Sequence, residues 1–372
     1  MSEVKDLSDN LPNVSVIVLM NEYPEFVKLF IHNYNNIDYP QDKLEWIIID
    51  DSEKSNIDLF PLEENLLYFH MDDPKSYLEK IEFKEHKKDE DNKIIKDFYK
   101  LTNSLPNGFK RDYGIGLSSN DYILHLDIDC FYNPKVLKRK LKFLQKNRLE
   151  CVYCDSMLCG ADNKIYKTEN ILRAFESTLF HTREFWKKSG FEWSDRYNEG
   201  NAFHYNKGND RKMDNYYDCI KLIGMHNLNN YQYKEVKVDG KEIKFPDIFN
   251  EITINKNNIQ FKLNKIFKDK KLNFLGINSN ILDNFKEHDS ENIIIEKKEK
   301  EKNILSKIKD FNKCFNVFVF NYKTELWNIF KDIHFDIILY ETDKNFKSMK
   351  DILERNNYVF YENIFINKLL FN

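Results

Sequence analysis

The chain has 372 residues, 41% hydrophobic and 32% charged, with 57 basic and 61 acidic side chains and a formal net charge of −4. That length holds one large domain and a smaller one; the charge balance excludes a global positive field that would hold nucleic acid, and 15% aromatics excludes wholesale disorder. No apolar run approaches the ~20 residues of a membrane span, and the polar, acidic start "MSEVKDLSDNLPN" is no secretory signal, so a cytoplasmic protein is expected.

In chain order, "NVSVIVLM" (Asn13–Met20) is an apolar, β-branched run of the kind that forms a buried parallel strand. "PEFVKLFIHNYNN" follows with Phe26, Leu29, Phe30 and Tyr34 at helical spacing and Pro24 at the helix start. "LEWIIIDDS" reads as a second buried strand ending in acids, and "NLLYFHM" as a third. Residues 75–105 are charge-dense, and "EHKKDEDNK" within them reads as a solvated loop. "GFKRDYGIGLSS" reads as a helix feeding the strand "DYILHL"; "PKVLKRKLKFLQKN" is an amphipathic helix, "CVYCDSMLC" a strand, and "HTREFWKKSG" a short helix closed by Gly190.

Composition shifts near residue 235, and the mixed-charge run "EKKEKEKN" has linker character. Beyond it, "FNVFVFNY", "KTELWNIFKDI", "FDIILYE", "FKSMKDILERNN" and "YVFYENIFINKLLF" alternate strand and helix patterns. This order of elements predicts an α/β domain over 1–235, a connecting region over 236–302 and a small α/β accessory domain over 303–372. With no signal peptide, the six cysteines are expected to be reduced. Cys151 and Cys154 form a C-x-x-C, a spacing that suits zinc or redox chemistry, but no second pair follows at zinc spacing. On a strand, positions three apart also face opposite ways.

The stretch "SSNDYILHLDIDCFYNP" delivers Asp127 and Asp129 to the carboxyl end of a buried strand. Side chains two apart on a strand face the same way. Open α/β sheets bind ligands in the crevice outside such strand ends. Two carboxylates close together repel unless a cation lies between them or one takes a proton. A hard divalent cation with room for substrate phosphates fits that pair; two solvated acids in a turn would look the same in sequence.

The apolar first strand, "IIDDS", "KRDYGIG" and "HLDID", in this order and spacing, resemble the GT-A fold glycosyltransferases of family 2 type over about residues 12–230. The resemblance implies a Rossmann-like domain that binds a nucleotide sugar and moves a hexose from a UDP-sugar to a hydroxyl acceptor. It implies Asp51 as acceptor of the uracil N3–H with Asp50 beside it, although Asp50, Asp51 and Ser52 equally suit a turn or helix cap. Asn21 would lie along the uridine, just past Met20. Lys110 and Arg111 would pair with the diphosphate; Asp112 stands where the family has Asn, and Cys130 where it often has a further acid. Asp127 is implied as a catalytic and donor-binding carboxylate. Asp127, Asp129 and His226 are implied as ligands of Mn2+ or Mg2+. Glu199, of a pair that here reads Glu199–Gly200, is implied as general base, with the alternative of an ordinary loop acid. Trp186 and Trp193 flank that stretch as sugar platforms or core residues. His204, Asp210 and Asp214 lie in the polar stretch that follows.

"KRDYGIGLSSNDYILHLDIDCFYNP" is similar to versions encoded by large DNA viruses, some of which act on collagen-like proteins, so a galactosyl-hydroxylysine acceptor is one expectation. The tail "FDIILYETDKNFKSMKDILERNNYVFYEN" resembles the closing part of FkbM-type methyltransferases without a glycine-rich loop before it, which implies an accessory unit for homodimerisation or acceptor docking. Two other functions remain open from sequence. A nucleotidyltransferase would also present carboxylates to a metal, but would want a glycine-rich loop where "LMNEYPEF" stands. A non-catalytic glycan-binding or scaffolding module would retain the fold with altered motifs.

Overall fold

The computed structural model of the chain describes residues 11–21, 23–81, 89–161, 164–169, 174–193, 199–204, 208–213, 216–222, 233–235, 237–238, 241–242, 245–252 and six strands beyond residue 273. The chain divides into two compact units. One comprises Met1–Glu85, Asn103–Gly224 and Gln232–Asn255; the other comprises His86–Thr102, Met225–Tyr231 and Lys256–Asn372.

The first unit opens with β1 (Val14–Met20), whose seven residues are all buried. Pro24 starts a 3-10 turn that runs into α1 (Val27–Asn36). Phe26, Leu29, Phe30 and Tyr34 are buried, as their spacing predicts. Phe30 and Tyr34 set their rings 5.5 and 5.3 Å from Trp46, which lies in β2 (Leu44–Asp50) and is fully buried. Next come β3 (Leu66–His70) and the short α2 (Pro74–Leu78). In the second unit's segment, α3 spans Asp89–Thr102. Its start corrects the expected loop: Asp89, Glu90 and Asp91 fill a helical first turn, where acids are favoured by the helix dipole.

Back in the first unit, α4 (Asn107–Leu117) leads into β4 (Tyr122–Asp127), as expected. A side chain at Gly114 would place Cβ 2.8 Å from Ile17 Cγ2, so glycine is what lets α4 lie directly on β1. After β4 come β5 (Cys130–Tyr132), α5 (Val136–Asn147), β6 (Cys151–Tyr153), β7 (Ser156–Ala161), β8 (Lys164–Glu169), β9 (Phe180–Thr182), α6 (Arg183–Lys187) and α7 (Glu199–His204). The unit continues with β10 (Asp210–Lys212), β11 (Cys219–Leu222), β12 (Tyr233–Glu235) and the hairpin β13 (Lys237–Val238) with β14 (Lys241–Glu242). "CVYCDSMLC" is thus two strands in two sheets, broken at Cys154–Asp155.

The larger sheet of this unit has the order β10-β6-β9-β4-β1-β2-β3, in which β3, β2, β1 and β4 are parallel. The chain steps from β1 outward to β2 and β3 and then returns to the other side of β1 as β4. That reversal is the switch point beside which α/β sheets open a ligand crevice. A second sheet, β12-β8-β7-β11-β5, abuts it through the two-residue link between β4 and β5.

In the second unit, β15 (Phe274–Ile277), β16 (Asn292–Ile295), β17 (Val317–Phe320), β18 (Ile337–Tyr340), β19 (Tyr358–Tyr361) and β20 (Ile364–Asn367) form one sheet of order β16-β15-β17-β18-β20-β19. Four strands are parallel, and β20 is antiparallel to both β18 and β19. Among the described residues no helix is long and apolar enough to cross a membrane.

Candidate active site

Register sets the site. Met20 pairs with Asp50, and Leu19 with Asp127, so three neighbouring parallel strands end at one level and two of them end in carboxylates. Asp129 follows two residues on. One ligand atom from each of Asp127, Asp129 and Cys130 lies within 4.8 Å of the others, so the two aspartates are brought to one place as expected.

The turn between them is held from three sides. Asp127 N–H donates to the Tyr132 hydroxyl (2.8 Å), which in turn donates to the Ser177 carbonyl (3.1 Å). Asn33 of α1 donates to the Cys130 carbonyl (2.8 Å) and accepts from Tyr132 N–H (3.0 Å), pairing with β5 as a neighbouring strand would. Leu222 N–H donates to the Asp129 carbonyl (2.9 Å). Burial, with Cys219 alongside, pushes the Cys130 thiol well above its ordinary range, so it stands there as a neutral group.

Arg111, 1% exposed, projects from α4 and donates from Nη2 to Asp127 Oδ1 at 2.9 Å. Its Nη1 lies 3.4 Å from His125 Nδ1; His125 Nε2 is 3.0 Å from His181 Nε2, and His181 Nδ1 is 2.9 Å from the Thr182 carbonyl. A carbonyl only accepts, so His181 carries its proton on Nδ1 and accepts at Nε2 from His125. That leaves His125 Nδ1 as the acceptor for Arg111. Burial, then Arg111 and His181, holds the His125 imidazole well below its ordinary range, which keeps it neutral for this role. The guanidinium is thereby aimed at Asp127 by a buried chain of groups drawn from β4 and β9. Sequence reasoning missed both histidines; their 56-residue separation carries no local signal.

The acids of β2 are placed differently. Asp51, 1% exposed, accepts from Lys110 Nζ (2.9 Å) and from Leu105 N–H (2.6 Å), so Lys110 faces Asp51 across a buried ion pair. Asp50, fully buried, accepts from Ser52 N–H (2.8 Å), Asn56 Nδ2 (3.0 Å) and the Tyr68 hydroxyl. Burial and then that hydrogen bond push the Tyr68 phenol up. The Ser52 hydroxyl, beside them and also buried, makes no hydrogen bond within the protein. Asn21 sits half-buried one residue past β1, its carbonyl accepting from Tyr23 N–H (2.6 Å).

Asp112 is a hub. Its carboxylate accepts from Trp186 Nε1 (2.8 Å), Trp193 Nε1 (2.8 Å) and Phe191 N–H (2.9 Å), which ties the segment after α6 back to α4. Gly190 turns that segment at a φ of 41°, in the left-handed region that glycine tolerates. Trp186 is thus half-buried and Trp193 40% exposed, against Phe109 at 5.3 Å. His204 lies 3.3 Å from Asp210. The backbone of Glu199 begins α7, while His226 and Asp214 lie outside the described residues. Cys151 and Cys154 are buried, and among the described residues the Asp127–Asp129–Cys130 group is the metal-type cluster.

Residue 221 was not foreseen. Lys221 Nζ stands 3.1 Å from Asp129 Oδ2 and 3.5 Å from Asp127 Oδ2.

Residues 87–216 match the family model Glycosyl transferase family 2, roughly a third of the chain and the part that holds Arg111, Asp127, Asp129 and α7. Over that stretch the chain is similar to this family, and the mixed α/β sheets described above are those of a Rossmann-like fold. No curated protein matches the sequence. Among solved structures the chain is similar to the mannosyltransferase PcManGT of Pyrobaculum calidifontis in complex with GDP-Man and Mn2+ (12% identity, TM-score 0.38, 58% of this chain and 57% of that one). It is also similar to S. aureus TarS 1-349 in complex with UDP-GlcNAc (14% identity, TM-score 0.36, 70% and 68%). The chain thus spans a little over half the length of the first of these.

Proposed function

We propose that the crevice at the ends of β1, β2 and β4 binds a UDP-sugar and hands its hexosyl group to a hydroxyl acceptor. The observation that carries this reading is Asp127: it ends β4 at the switch point, Asp129 lies beside it, and a guanidinium fixed by two buried histidines is aimed at it. The oxygen donors of Asp127 and Asp129 suit a hard divalent cation, whereas the neutral, buried Cys130 thiol does not. Mn2+ or Mg2+ held by these two aspartates would supply charge neutralisation for the departing diphosphate.

The chain's own groups do the rest. Arg111 adds fixed positive charge where the leaving group's charge grows. The acceptor oxygen attacks the anomeric carbon, the bond from that carbon to the diphosphate oxygen breaks, and its electron pair leaves with UDP. The acceptor's proton passes to a base, assigned to Glu199 at the start of α7. Asn21, one residue past β1, is assigned to the uridine side, as the sequence resemblance implies. Asp50, Asp51 and Lys110 are assigned to the same donor side, as the sequence resemblance implies, and the buried contacts of Asp51 with Lys110 and Leu105 hold that wall in place. The choice of uridine rests on the sequence resemblance, as does the suggestion of a galactosyl-hydroxylysine acceptor on a collagen-like protein. Within 303–372, parallel β17 and β18 followed by antiparallel β20 and β19 support the expected accessory unit, to which homodimerisation or acceptor docking is assigned.

A thermal-shift panel of UDP-sugars, GDP-sugars, CTP and ATP, with and without Mn2+, tests the reading. A UDP-sugar shift that disappears in Asp129→Ala is expected. Stabilisation by CTP or ATP alone would indicate nucleotidyl transfer, and response to a glycan with none to any nucleotide would indicate a binding module.

A further inference from the structure

The carboxylates of Asp127 and Asp129 already share a cation. β11 runs antiparallel to β5 and parallel to β7, which sets Lys221 opposite Cys130 on one side and Cys159 on the other. The bond from Leu222 N–H to the Asp129 carbonyl locks that register. It carries the Lys221 ammonium to the Oδ2 atoms of both aspartates, at 3.1 and 3.5 Å, while Asp127 Oδ1 takes Arg111 at 2.9 Å. The Lys221 side chain is 17% exposed, so water screens the contact only in part. Among the described contacts, the two carboxylates thus face one ammonium and one guanidinium. A divalent cation held by the same two carboxylates would meet the ammonium at close range.

We propose that Lys221 is a built-in competitor of the metal. Its ammonium holds the carboxylate pair in the free protein and keeps divalent-cation affinity low until a nucleotide diphosphate brings the negative charge that balances both cations. Metal and nucleotide then bind together rather than metal first. This rests on the reading of the pair as the donor-diphosphate site, and the test separates the two.

Mn2+ binding to the full chain is measured without nucleotide, by the electron paramagnetic resonance of free Mn2+, for wild type, Lys221→Met and Lys221→Arg. Lys221→Met is expected to bind Mn2+ at least about tenfold more tightly than wild type, because a like charge has gone, and Lys221→Arg to bind as weakly as wild type. UDP is expected to narrow the gap between wild type and Lys221→Met. Lys221→Gln serves the same comparison should the Met variant fail to melt cooperatively. Equal or weaker Mn2+ binding by the uncharged variants, with UDP-sugar binding intact in wild type, overturns the competitor role and leaves sugar transfer standing. Tighter Mn2+ binding by Lys221→Met in a protein that binds no nucleotide sugar upholds the competition and overturns sugar transfer.

Discussion

Two strands of the same sheet, β2 and β4 on either side of β1, lead into paired acids, and the fold treats the pairs in opposite ways. Asp50 and Asp51 at the end of β2 are sealed, and their oxygens are taken by backbone N–H groups, an amide, a phenol and the buried Lys110. Asp127 and Asp129 at the end of β4 keep 21% and 12% of their side-chain surface open and meet Arg111 and Lys221. Residue type is the same in both places; what differs is whether water and ligand can reach the oxygens. A sealed carboxylate with fixed donors acts on stability, and a reachable one held by side-chain cations can exchange those cations for others.

The contrast can be broken at its strongest point with Lys110→Met, which strands the Asp51 charge in the interior. A loss of about 3–5 kcal/mol in urea-unfolding stability is expected, with much of it recovered in the Lys110→Met, Asp51→Asn double variant. Tyr68→Phe removes one donor from Asp50 and should cost about 1.5–3 kcal/mol by the same measurement. At the open pair the stability change should be far smaller. Lys221→Met is expected to alter unfolding stability by less than about 1 kcal/mol, since its partners stay partly hydrated, even while cation affinity changes. A Lys221 variant as damaging as the Lys110 one would erase the distinction. Farther off, Glu150 meets Lys188 at 2.5 Å on the surface, and that contact lowers its carboxyl below 4.5. The folded value lies below the unfolded one, so the contribution is present above the unfolded value and is lost as pH falls through the folded one. A difference of a few tenths of a kcal/mol between wild type and Lys188→Met at neutral pH, vanishing in acid, should appear in pH-dependent melts.

Much of the first unit is legible in the sequence because its signals are local. β1, β2 and β4 are continuous apolar runs, as strands covered on both faces must be. The step from "HL" to "DID" marks where β4 leaves the core. What sequence could not give depends on pairings between distant segments. Lys221 is one lysine in "CIKL", and its meaning comes from β11 lying between β5 and β7. His125 reads as one more strand residue until His181 arrives from β9. Asp112 counts only as an added charge beside Arg111 until two indoles and a backbone N–H converge on it. The acidic run at Asp89 was misread because the same charges suit a solvated loop and a helix N-terminus.

Asp127 is the last residue of β4, in the seven-stranded sheet, whereas Asp129 immediately precedes β5, in the five-stranded one. The gap between the two carboxyl groups is consequently a caliper whose jaws are mounted on separate plates. A small rotation of one sheet against the other would change that gap by carrying one carboxylate away from the other. A wedge placed well away, such as a methyl at Gly160 of β7, where Cβ would press on Phe249 at 2.8 Å, could thus retune which ionic radius the jaws grip.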